Sequence, residues 1–280
     1  MRRILLLSVV LLVAGAALGQ RRWWDRGRFE NARTPRETEQ HAGDTPFWTN
    51  TPGFEHDVFT FVRIRRDSGY GSGGPWSTDA PDSDLNLSYR LQQMTALKVN
   101  PDGLFLRLTE KSLLDYPFIY MVEPGSLVLS DAEAKALRDY LLNGGFLWLD
   151  DFWGEEEWDN MAYEMKKVFR DREFVELPIT NQLYRCVFDI TAKRQIPNVQ
   201  MGTRSQYDPQ RTTWERYDAR QVHHRAIFDD QGRLMVFATH NTDNGDGWEW
   251  EGDNLFYFRE FSEKTAYPLA VNVVFYVMTH

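Results

Sequence analysis

Apolar residues fall into short runs and helical stripes separated by polar, glycine-marked connections. Phe118-Ile119-Tyr120-Met121-Val122 and Phe146-Leu147-Trp148-Leu149 are almost wholly apolar, the pattern of strands covered on both faces. Between them, Ser130 and Glu133 form a capping box, Ala134, Leu137, Tyr140 and Leu141 follow at helical spacing, and Gly144-Gly145 ends the helix. Upstream, the pattern predicts a first strand over residues 58–64, then a glycine-rich loop. A helix over 85–97 follows, with Asp82 or Asp84 as its cap, then a short strand over 105–108 and a helical turn over 110–114. Downstream, it predicts a helix over 160–169, a short strand over 174–177, a long polar loop over 199–221 and two strands over 223–228 and 233–239. The last two are joined through Asp229-Asp230-Gln231-Gly232 as a hairpin, and a closing helix covers 268–280. Strands alternating with helices over short crossovers imply one α/β domain, residues 57–280, with a mostly parallel sheet and helices on both faces.

The first 56 residues follow other rules. Arg2 and Arg3 precede an apolar run over 4–18 that ends in small residues, the layout of a secretory signal over 1–19 with cleavage before Gln20. The run is shorter than the roughly 20 residues that span a bilayer as a helix. The expectation is therefore an exported protein, periplasmic or extracellular, with no membrane span once the signal is removed. Residues 20–56 read as a polar linker or a wrapping arm, in which Trp23, Trp24, Phe47 and Trp48 are available to dock on the domain. The net charge of −9 argues against nucleic acid as a partner, because phosphate neutralisation needs clustered Lys and Arg. A single cysteine, Cys186, allows no internal disulfide and no thiolate zinc cage, so a metal would need carboxylate or histidine ligands.

Chemistry in an open α/β sheet gathers at the carboxyl ends of the strands. There the sequence places Arg65 after the first strand, Glu123 after the 118–122 strand, and Asp150, Asp151 and Trp153 after the 146–149 strand. His240, Asn241, Asp243, Trp248 and Trp250 follow the 233–239 strand. Side chains alternate, so at most one of Asp150 and Asp151 faces a given cleft, as a general base or hard-metal ligand, or else as a cap or ion-pair partner. His240 reads as a base or ligand, or as a packed histidine. Tryptophans edged by acids, as at Trp153, Trp248 and Trp250, suit either a sugar-stacking surface or a core wall. The acidic run from Asp243 to Glu249 lacks the full ligand pattern of an EF-hand. No nucleophile elbow, phosphate-binding loop or dinucleotide fingerprint is present, and Cys186 sits in an apolar segment as a structural thiol. No cofactor is identified beyond a possible divalent metal. Three functions fit these residues: a module binding a carbohydrate or other polar envelope ligand, a metal-assisted hydrolase using Asp150 or Asp151 with His240, and an assembly module recruiting an envelope protein partner.

Several long stretches resemble the bacterial family catalogued as domain of unknown function 4159. They are Phe61-Val62-Arg63-Ile64-Arg65, Asp82-x-Asp84-Leu85-Asn86-Leu87, Tyr116 to Gly125, Gly144 to Gly154, His240 to Trp250 and the terminal Thr279-His280. The resemblance covers residues 57–280. It implies a three-layer flavodoxin-like fold of the class I glutamine amidotransferase-like kind, shared with trehalose-utilisation proteins. It implies no amidotransferase chemistry, because Cys186 does not follow the strand that would carry the nucleophile.

Overall fold

The computed structural model describes residues 29–53, 58–66 and 74–280; the predicted signal and Trp23 and Trp24 lie outside them. Among the described residues seven strands make one sheet: β1 (Val62–Ile64), β2 (Leu104–Leu106), β3 (Phe118–Val122), β4 (Phe146–Asp150), β5 (Val175–Glu176), β6 (His223–Phe228) and β7 (Leu234–His240). Their spatial order is β2-β1-β3-β4-β7-β6-β5; β2 through β7 run parallel, and β6 runs against both of its neighbours. The connection leaving β1 goes outward to β2, whereas the one leaving β3 goes the other way to β4. That reversal makes the β1/β3 boundary the switch point at which open α/β sheets leave a crevice.

The helices are α1 (Asp82–Met94), α2 (Asp131–Leu142), α3 (Gly154–Val168), α4 (Val199–Ser205), α5 (Asn244–Glu249) and α6 (Tyr267–Thr279). Alternation along the strands sorts the sheet into two cores. Phe118, Tyr120, Phe146, Trp148 and Phe237 pack with Leu87 and Leu91 of α1 and with the apolar residues of α6. Ile119, Met121, Leu147, Leu149 and Val236 pack with Leu137 and Leu141 of α2 and Met161 and Met165 of α3. Each fully buried side chain of this size contributes about 1.5–3 kcal/mol, so β3 and β4, covered on both faces, anchor the fold. Helices on both faces of a mostly parallel sheet are what the alternation predicts. Among the described residues no helix is long and apolar enough to cross a membrane.

The elements differ from the sequence reading mainly at their ends. The first strand contracts to β1, leaving Phe59 in a single bridge to Val99. Helix α1 begins at Asp82, earlier than its apolar stripe, and α3 begins six residues before the predicted 160. The predicted loop over 199–221 opens with α4, capped by the Asn198 side chain. The closing helix is the end of a longer helical run over 255–279. In it a wide-turned π segment, Phe258–Ala266, joins the single turn Leu255–Tyr257 to α6.

Residues 29–53 lie on the domain as an arm. Phe29 packs edge-on against Trp76 and Phe105, and Phe105 N donates to Arg33 O at 2.8 Å along the outer edge of β2. Arg36 reaches the carbonyls of Thr45, Pro46 and Pro101, and Trp48 Nε1 donates to Val99 O at 2.9 Å.

The capping box on α2 is complete: Glu133 N donates to Ser130 Oγ, and Ser130 N donates to Glu133 Oε2. Ser130→Ala should cost about 1 kcal/mol, measured as a shift in urea midpoint with unchanged slope. No shift would mean that the cap adds nothing to tertiary packing.

Candidate acid-lined cleft at the strand ends

The connections that follow β1, β3, β4 and β7 each pass through a non-glycine residue in the left-handed region: Asp79 (φ 64°), Glu123 (48°), Asp151 (55°) and Asn241 (61°). Such conformations cost of order 1–3 kcal/mol and gather at functional sites. Here they turn four polar side chains across the same end of the sheet.

The two adjacent aspartates diverge. Asp150 is fully buried, on the same face as Trp148, and its carboxylate is saturated. It accepts from Tyr120 Oη (2.8 Å), Thr239 Oγ1, Asn244 Nδ2 (2.7 Å) and the backbone N–H groups of Asn244 (3.0 Å) and Gly245 (3.2 Å). Burial pushes its pKa up and these donors pull it back. Asp150 thereby ties the start of α5 to β4. Asp151 turns into the cleft, with Oδ1 accepting from Trp153 Nε1 at 2.8 Å. Burial first, then the neighbouring Glu123, holds its pKa well above the carboxylate range.

Glu123, Asp151 and Trp153 line a cavity of about 290 Å³ together with Gly125, Ser126, Glu157, Glu215 and Arg216. Thr78 Oγ1 donates to Glu123 at 2.8 Å, and Arg66 donates to the Val122 and Glu123 carbonyls and to Ser126 Oγ. Burial raises the pKa of both Glu123 and Glu215. Arg216 pairs with Glu157, so acids outnumber bases in the lining. A cavity of about 340 Å³ against His224, Lys264 and Leu269 touches none of these strand-end acids.

Behind the cavity lies a second group of carboxylates. Oxygens of Asp79, Asp151 and Asp243 fall within 4.8 Å of one another, as do oxygens of Asp79, Asp246 and Glu249. Asp243 caps α5, accepting from Asp246 N at 2.7 Å, and Asp246 accepts from Val199 N at 2.6 Å. Burial, and after it the mutual repulsion of these acids, lifts the pKa of Asp79, Asp243 and Asp246 well above the usual range. Glu249 is engaged by His41 of the arm, whose other ring nitrogen lies 2.7 Å from Asp82. Those two carboxylates push the His41 pKa up to about 10. Asp79 and Gly245 meet closely: a Cβ on Gly245 would stand 2.0 Å from Asp79 Oδ2.

Other predicted residues lie elsewhere. His240 alternates to the opposite face from Asp150. It stacks on Phe152 (4.9 Å), donates from Nε2 to Gly154 O (3.0 Å) and accepts at Nδ1 from Arg225 (3.3 Å); burial lowers its pKa to about 4. Asn241 splices β7 to the start of α3, accepting from Gly154 N and donating to Gln221 O, both at 2.8 Å. Trp248 is fully buried among Tyr120, Trp148 and Phe61. Trp250 is half-buried and donates to Asp246 Oδ1 at 3.3 Å. Arg65 lies over Trp76 and donates to Glu30 O at 2.8 Å, so it binds the arm. Cys186 follows the turn Gln182–Arg185, and its thiol pKa is raised by burial.

Fold and cleft together define an α/β protein of the mostly parallel class, with an acid-lined crevice where its central strands end. Residues 60–278 match the family described as a domain of unknown function (DUF4159), and the chain belongs to that family. No curated protein matches the chain.

Proposed function

We propose that the protein is an exported ligand-binding domain that takes a hydroxyl-rich polar ligand, of the carbohydrate type, in the cavity at the ends of β3 and β4. Supporting it, the cavity includes Glu123, which follows β3, one of the two strands flanking the switch point that a flavodoxin-like, class I glutamine amidotransferase-like fold would have. The observation that carries the reading is the lining itself. Glu123, Asp151, Glu157 and Glu215 offer acceptors to hydroxyl groups, Ser126 and Arg216 offer donors, and the Trp153 indole supplies an apolar wall. About 290 Å³ accommodates one sugar-sized ring. Amidotransferase chemistry forms no part of the reading, because Cys186 is not among the lining residues.

Calorimetry against a panel of envelope sugars and their N-acetylated and acidic derivatives tests the proposal. At least one should bind the wild type, with affinity falling at least tenfold in Glu215→Gln and in Trp153→Phe; the latter removes the donor that orients Asp151. Each hydrogen bond to a charged group contributes about 1.5–3 kcal/mol, which sets that scale. A panel with no binder, or binding indifferent to both substitutions, would overturn it.

A further inference from the structure

We propose that Asp79, Asp151 and Asp243 form a site for one hard divalent cation of the Mg²⁺, Mn²⁺ or Ca²⁺ type, at the inner wall of the cleft. Oxygens from the three side chains already lie within 4.8 Å of one another, a spacing compatible with metal–oxygen bonds of roughly 2.0–2.6 Å to a shared ion. The three residues come from the connections after β1, β4 and β7, so the sheet rather than a local motif assembles them.

The orientation of the oxygens points to a ligand. Asp79 is about nine-tenths buried, its Oδ2 has no hydrogen-bond donor among the described residues, and an oxygen of Asp79 lies among those of Asp151 and Asp243. Asp151 and Asp243 are each held by one internal donor, Trp153 Nε1 and Asp246 N respectively, both acting on Oδ1. A buried carboxylate with no counter-charge costs several kcal/mol, so a cluster of three calls for protons or a cation.

The charges around the cluster distinguish this group from its neighbour. Asp246 and Glu249 share Asp79 with it, but Glu249 already pairs with the protonated His41. Arg63 pairs with Asp84, and its charge only partly offsets the acids around Asp79. Among the described residues no Lys, Arg or His forms an ion pair with Asp79, Asp151 or Asp243. These three acids are therefore the group that no cationic side chain pairs among the described residues. An all-oxygen donor set selects hard cations over zinc or copper, and Asp151, which also lines the cavity, opens the site to the cleft. The inference does not depend on the carbohydrate reading, since cation binding is measured with no sugar present.

The test uses the full chain dialysed against EDTA and then titrated with MnCl₂, with free Mn²⁺ counted by electron paramagnetic resonance. The wild type should bind one Mn²⁺ per chain. Affinity should fall at least tenfold in Asp79→Asn and, independently, in Asp243→Asn, and stay unchanged in Glu173→Gln, an exposed acid elsewhere. Thermal melting separates this role from a structural one. In EDTA, both asparagine variants should melt at or above the wild-type temperature because repulsion is relieved, and Mn²⁺ should raise the melting temperature of the wild type alone. Absence of Mn²⁺ binding to the wild type, or equal binding by both variants, overturns the proposal.

Discussion

Asp150→Ala is expected to cost about 3–5 kcal/mol of stability, the range for stranding buried partners of a charged group. The substitution would remove the acceptor from the Tyr120 and Thr239 hydroxyls, the Asn244 side-chain amide and two backbone N–H groups, all buried. The consequence reaches the cleft, because Asn244 and Gly245 begin α5, and α5 carries Asp246 behind its cap Asp243. Urea unfolding followed by tryptophan fluorescence would read the loss, and Asp150→Asn, which keeps one acceptor oxygen, should lose less. A loss below about 1 kcal/mol in Asp150→Ala would show that water replaces the carboxylate without penalty and that α5 is held by packing alone.

Arg63→Met should be comparably severe. Its guanidinium is fully buried, donates to both Asp84 oxygens at 3.0 Å and to Ser83 Oγ at 2.8 Å, and lies over the Tyr120 ring at 5.1 Å. It also donates to the carbonyls of Trp76 (3.2 Å) and Thr78 (2.8 Å), which fixes the connection that presents Asp79. Removing one member of a buried ion pair costs about 3–5 kcal/mol, because the other charge is left uncompensated. Arg63→Met with Asp84→Leu should therefore recover most of the stability lost in Arg63→Met alone, as a double-mutant cycle measured by urea unfolding would show. Stability would return without the Trp76 and Thr78 contacts, so the double variant should still bind Mn²⁺ more weakly than wild type. Additive losses would mean that Arg63 acts mainly through those two carbonyls.

The sequence carried the fold wherever local and tertiary signals agree. The runs that became β3 and β4, the Ser130/Glu133 box and the Gly144 stop each have one physical solution. It carried less where a helix begins on polar residues. Helix α3 starts at Gly154 with no side-chain cap, and its first turn, Glu155 to Glu157, is wholly acidic before the apolar stripe opens at Trp158. Helix α5 is written Asn-Gly-Asp-Gly, which reads as a turn; it is helical because Asp243 caps it and Asp150 grips its first two N–H groups. The cleft was partly legible for the same reason. Glu123, Asp151 and Asp243 follow strands that periodicity reveals. Asp79 sits in a connection with no periodicity, and Glu215 in a polar stretch, so only the tertiary fold brings them to the strand ends. Trp248 is the converse case: its flanking acids suggest a rim, yet its ring completes the aromatic core under Tyr120 and Trp148.

The place of β7 in the sheet governs the order in which a growing chain assembles. Strands β1 to β4 are made first and already lie side by side, but the free edge of β4 is closed only when residues 234–240 arrive and insert between β4 and β6. Until then the central hydrogen-bonding edge of the nascent sheet is bare, which is the exposure that slow, non-local β pairing imposes and that holding chaperones shield. The same late arrival brings Asp243 and Asp246 last, so their share of the repulsion on Asp79 and Asp151 is added only at the end. A ribosome-bound chain that stops before β7 therefore has β1 to β6 but nothing to join β4 to β6, and it lacks Asp243.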